Sequence, residues 1–192
     1  MTEEYEEVSK DFKVRIIEEK EEVVTFSELL GRKPFEWKQP CIYILARFFI
    51  PQAVPEVLVE LTGGGALGHV AGVERYIVRW IQVGQAQMNI VDNVALVWEC
   101  IIYPDATVDW EKILEKALDW LEAFLKAKGV KVVFINPYEP MYEGYTEDGK
   151  LLAGEKAPKE WGWWSKYLKS RGYTESSYEL FNRKVLKKKV MA

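Results

Sequence analysis

The chain has 192 residues, of which 48% are hydrophobic, 29% charged and 14% aromatic with eight Trp, a length and composition for one globular domain with a substantial core. Its formal net charge of -4 and isoelectric point near 5.3 argue against a general attraction to nucleic acid or anionic membrane. No apolar run approaches the roughly 18 residues that span a bilayer, and Cys41 and Cys100 sit in apolar runs, so a soluble cytoplasmic protein with buried thiols, no disulfide framework and no metal site is expected.

Residues 1–11, with Glu3, Glu4, Glu6 and Glu7, read as a flexible acidic terminus, and a single domain is expected over 12–190. Phe12 to Ile17 alternates apolar and basic side chains with the period of a short strand. Residues 18–31 read as a short helix stopped by Gly31 and Pro34. The apolar run 42–50 fits a helix or a buried strand, and periodicity does not separate them. Strands are predicted over 55–61 and 73–83, a glycine-rich turn over 62–68, and a polar connector over 84–93.

Residues 94–103 form a nearly continuous apolar run closed by Pro104, the pattern of a strand covered on both faces. A helix follows from about Asp109 to Gly129. Its apolar stripe includes Ile113, Leu114, Ala117, Leu118, Leu121 and Leu125, and Gly129 is the left-handed stop. Val130 to Ile135 is a short strand ended by Asn136-Pro137, and two strands joined through a helix by tight turns run parallel. Residues 136–160 form a long inserted loop rich in aromatic and acidic side chains. A helix over 161–171 ends at Gly172, a hairpin or bent strand occupies 173–186, and Lys184, Lys187, Lys188 and Lys189 read as a solvated basic end.

This order, with Ile101-Ile102-Tyr103-Pro104-Asp105 and Tyr167-Leu168-Lys169-Ser170-Arg171-Gly172-Tyr173, resembles the GNAT acetyltransferase superfamily over roughly 94–190. The resemblance implies an α/β (α+β) fold: a single-domain mixed sheet with helices on both faces and splayed central parallel strands. It implies acetyl-CoA as acyl donor and a small-molecule or peptide amine as acceptor. The acyl group would lie on the main chain of Ile101, Ile102 and Tyr103, and the cofactor set would continue through Thr107, Val108, Asp109 and Lys112, with Asn136 at the close of the next strand. Glu99, a carboxylate inside an apolar strand, would be the general base, because desolvation raises a carboxyl group toward the working range. Tyr167 would be the acid, one place from the family's position, which is Leu168 here.

The stretch aligned with the family's phosphate loop, Thr107-Val108-Asp109-Trp110-Glu111-Lys112, contains no glycine. Asp109 and Glu111 satisfy the helix N-terminus themselves, and fixed anions there repel a pyrophosphate. The sequence therefore implies a weakened, absent or differently built phosphate grip. A catalytically inactive ligand- or protein-binding module is the alternative.

Gly63-Gly64-Gly65-Ala66-Leu67-Gly68 matches the spacing of a dinucleotide fingerprint, although the β-branched run that follows is a poor helix and favours a glycine-rich loop. The single His69 forms no histidine metal cluster, and the acids of the long loop lack calcium-loop spacing. Tyr138, Tyr142, Tyr145, Trp161, Trp163 and Trp164 would make a lid, a surface for a protein partner, or a cap on the open end of the sheet. A homodimer is compatible with all of these readings. Abundant Glu and Lys with sparse Gln, Asn and Cys give a thermophile-like composition.

Overall fold

The computed structural model describes residues 2–21, 41–55, 76–102, 109–137, 163–180 and 183–191. These form one eight-stranded mixed sheet in the order β1-β2-β3-β4-β5-β6-β8-β7. The strands are β1 (Thr2–Val8), β2 (Lys13–Glu21), β3 (Cys41–Pro55), β4 (Tyr76–Val91), β5 (Val94–Ile102), β6 (Val132–Ile135), β7 (Thr174–Leu180) and β8 (Arg183–Lys189). The helices are α1 (Trp110–Ala127) and α2 (Trp163–Ser170). The first five strands are an antiparallel meander, β5 and β6 run parallel through α1, and β8 lies between β6 and β7, antiparallel to both.

The expected α/β arrangement with helices on both faces is corrected. Among the described residues strands dominate, and the two helices share one face. Ile113, Leu114, Leu118, Leu121 and Leu125 of α1 and Trp164 and Leu168 of α2 join one core with Val14, Ile16, Ile44, Ala46, Met88 and Val97 of the sheet. Arg171, just past α2, donates to Asp119 of α1 at 2.7 Å. The opposite face carries a separate, smaller apolar cluster of Leu96, Phe134 and Val185.

Four local expectations also change. The acidic terminus is a strand, because β1 pairs with β2 over its whole length and Trp120 and Lys116 of α1 hold Glu7 and Asp11 at 2.6 Å each. β2 continues to Glu21, into the segment expected to start a helix, and Glu18 is buried there under Lys128 and Tyr5. The polar connector is the second half of β4. Gln85, Gln87 and Asn89 alternate with Ala86, Met88 and Ile90, so one face is polar and the other fills the core, which is a strand period disguised by amide side chains. The lysines of 184–189 belong to β8, and Lys188 binds Glu122 of α1 at 3.1 Å, so that segment is not merely a solvated end.

Candidate functional site

β5 outlasts its parallel partner. The β5–β6 ladder covers only Val94–Val97 against Val132–Ile135, after which Asn136 closes it: its main-chain N–H donates to the Val97 carbonyl and its side-chain amide to the Trp98 carbonyl, both at 2.9 Å. From Glu99 to Ile102 the edge of β5 turned away from β4 has no strand partner among the described residues. In open α/β sheets ligands gather at the carboxyl ends of parallel strands where the chain parts, and β5–β6 is the one parallel pair among the described strands.

A β-bulge sits at the same point. Gln87 pairs with Glu99 and Met88 with Val97, which leaves Trp98 as the extra residue of β5. A bulge lets two successive side chains share a face and bends the strand. Val97 and Cys100 enter the helix-bearing core, whereas Trp98 packs on the opposite face and Glu99 meets the polar side chains of β4 there.

The polar row is continuous across three strands. The Tyr43 hydroxyl donates to Gln87 Oε1 at 2.5 Å, and the Gln87 amide donates to Glu99 Oε2. Gln85 Nε2 donates to the same oxygen at 3.4 Å. Beside them, Trp98 Nε1 donates to Asn89 Oδ1 at 3.0 Å, and the Asn89 amide donates to Cys41 Sγ at 3.4 Å. The Tyr43 and Trp98 rings lie 6.5 Å apart. A carboxylate oriented by two amides, in a row that also carries two aromatic rings, suits a cationic or amine-bearing ligand.

The remaining predicted residues divide. Ile101 is half-buried, and Ile102 is buried on the helix-bearing side, so the main chain of this segment, not its side chains, is what a ligand could meet. Asp109 is the N-cap of α1 and accepts the Lys112 N–H at 3.4 Å, with Lys112 Nζ 4.0 Å from its other oxygen. That helix end is already occupied by an acid. Tyr167 stacks on Trp164 at 5.9 Å and packs against the helix-bearing core, away from Glu99 and its row, so the structure does not bring the proposed acid and base together.

Trp164 is fully buried and donates Nε1 to the Asn136 carbonyl at 3.2 Å, which makes it part of the core instead of a lid. Tyr103, Thr107, Val108, the Gly63–Gly68 stretch, His69, Tyr138, Tyr142, Tyr145 and Trp161 lie outside the described residues. Burial, and then the charge of Glu99, push the Cys100 thiol up to about 12, which keeps it protonated and unreactive at neutral pH.

The sequence singles out Glu99 but not Tyr43, Gln85 and Gln87, which the structure sets in one hydrogen-bonded row with it. The alternation from Gly84 to Ile90 was the signal that could have found the two glutamines. Among the described residues no helix is long and apolar enough to cross a membrane, and no three acidic, Cys or His side chains converge as a metal site. No family model, curated protein or solved structure matches the chain.

Proposed function

We propose that the chain transfers an acyl group from a CoA thioester to an amine at the open end of β5, with Glu99 as general base. The observation that carries the reading is the bulge at Trp98 and Glu99, which turns the carboxylate onto the polar row two residues past the last rung shared with β6. The main chain from Glu99 to Ile102 would hold the thioester carbonyl by hydrogen bonds, where developing negative charge is best met by fixed donors. Glu99 accepts the proton that the amine gives up as its nitrogen bonds to the carbonyl carbon and the carbon–sulfur bond breaks. Tyr167 has no part in this scheme, and solvent protonates the departing thiolate.

The residues present fit the acyl end of such a substrate and not its pyrophosphate. Asp109 and Glu111 crowd the start of α1 with negative charge, and no glycine lets a phosphate approach its amides. Phosphate binding would therefore fall to residues other than the α1 terminus. This same cap favours a second reading, a non-catalytic module that binds an amine-bearing ligand on the Tyr43, Gln87 and Glu99 row.

Calorimetric titration with acetyl-CoA separates the two. The acyl-transfer reading predicts a Kd on the order of 1 to 100 μM, about -5 to -8 kcal/mol. Absence of binding at millimolar acetyl-CoA would leave the non-catalytic module.

A further inference from the structure

The polar face holds a second feature that acyl transfer does not use. Arg15 of β2 and Arg47 of β3 are direct partners in the antiparallel ladder, so their side chains share one face, and both are half-buried. Glu6 serves Arg15 and Lys13: its Oε1 accepts from Arg15 Nε and Nη2, both at 3.0 Å, and Lys13 Nζ pairs with the same oxygen at 3.9 Å. Lys13 and Arg15 also lie over the Phe49 ring at 4.8 and 5.5 Å. Arg47 has no hydrogen bond, ion pair or ring contact among the described residues. Lys13 and Arg15 therefore share the Glu6 carboxylate, and Arg47 is left without one among the described residues.

Like charges directly opposite in an antiparallel pair are destabilising, and a half-buried guanidinium keeps five donors that water satisfies only in part. An arrangement that weakens the fold while presenting a planar fork to a partly open face is what an oxyanion site requires. Its position is also informative. The row Arg15, Arg47, Gln85 runs across β2, β3 and β4, and Gln85 touches Glu99, so an anion on Arg47 would lie about two strand spacings, or ~10 Å, from β5.

We infer that Arg47, assisted by Arg15, binds the carboxylate or phosphate group of a small ligand lying along this face of the sheet toward Glu99. The inference concerns binding alone and stands whether or not the protein transfers acyl groups.

The test is thermal unfolding of the full chain, wild type and Arg47→Gln, at constant ionic strength set with sodium chloride, with inorganic phosphate or acetate as probe. Wild type should show a saturable rise in Tm of about 3 to 6 °C at ten times Kd with at least one probe. A phosphate response identifies a phosphate site, and an acetate response without one identifies a carboxylate site. Arg47→Gln should lose the response and, without either anion, should unfold about 1 to 3 °C higher than wild type because the like-charge pair is gone. Arg47→Lys, which keeps the charge without the fork, should keep a smaller response. No saturable response in wild type, an undiminished response in Arg47→Gln, or a lower Tm or failure to fold of Arg47→Gln alone would overturn the inference, the last by showing that the arginine is structural.

Discussion

Single side chains tie the elements of this protein together, and Glu122 carries the most of that work. It accepts from the Tyr173 hydroxyl at 3.0 Å and from Lys188 Nζ at 3.1 Å, and Arg171 Nη2 lies 3.5 Å away. One carboxylate thus joins α1, the turn after α2, and β8. Burial, followed by the charge of Glu122 and the hydrogen bond to it, raises the Tyr173 hydroxyl well above its ordinary value of about 10. Below pH ~10 the hydroxyl is protonated in folded and unfolded chains alike, and its contribution is complete. As pH rises above that point the unfolded chain loses the proton first, so stability falls until the folded group also titrates. Tyr173→Phe should cost about 1 kcal/mol at neutral pH through the lost hydrogen bond. It should also flatten the fall in stability above pH ~10, read by urea unfolding across that range. An alkaline slope identical to that of wild type would show that Tyr173 is not its source.

At the scale of elements, the meeting of β4 with β5 is the most tightly specified. Gly84 opposes Ile102, and a β-carbon there would stand 2.4 Å from the Ile101 carbonyl oxygen, far inside contact distance and against main chain that cannot swing aside. Gly84→Ala should therefore destabilise by about 1 to 3 kcal/mol and displace the end of β5. Urea unfolding measures the first effect. Wild-type stability in the variant would mean that the two strands are further apart than described.

How much of this was readable beforehand follows from what each signal depends on. α1 was legible nearly to the residue, because its stripe, its Asp109 cap and its Gly129 stop are local. Gly129 indeed sits at φ 84°. The parallel β5–β6 pair followed from the short joins on either side of that helix. β4 was cut short because amides at every second position look like a connector until a polar partner strand is known. The face on which a helix packs depends on contacts far apart in sequence, such as Arg171 with Asp119, which no local pattern encodes. Glu99 stood out as a charge in an apolar strand, but its neighbours come from β3 and β4 and its facing depends on a bulge, so the site around it was not legible.

At the scale of the whole molecule, the described residues form a sheet with two unlike faces. One packs α1 and α2 over a continuous apolar core, and the other carries the amide and aromatic row, the small cluster around Leu96, and Lys13, Arg15 and Arg47 with Glu6 paired to the first two. The first gives stability, and the second carries the chemistry proposed above. The outer strand β1 shows four glutamates, which discourages another chain from pairing with that edge. The bulge links the two faces, since it keeps Cys100 and Ile102 in the core while turning Glu99 out of it. Turnover by wild type and Glu99→Gln, followed as free thiol released from acetyl-CoA with a panel of amines, tests the central claim most directly. Acyl transfer with Glu99 as base predicts amine-dependent release that falls on the order of 100-fold or more in the variant, with acetyl-CoA affinity unchanged. Equal release by the two proteins, or none by wild type with any amine, would contradict it.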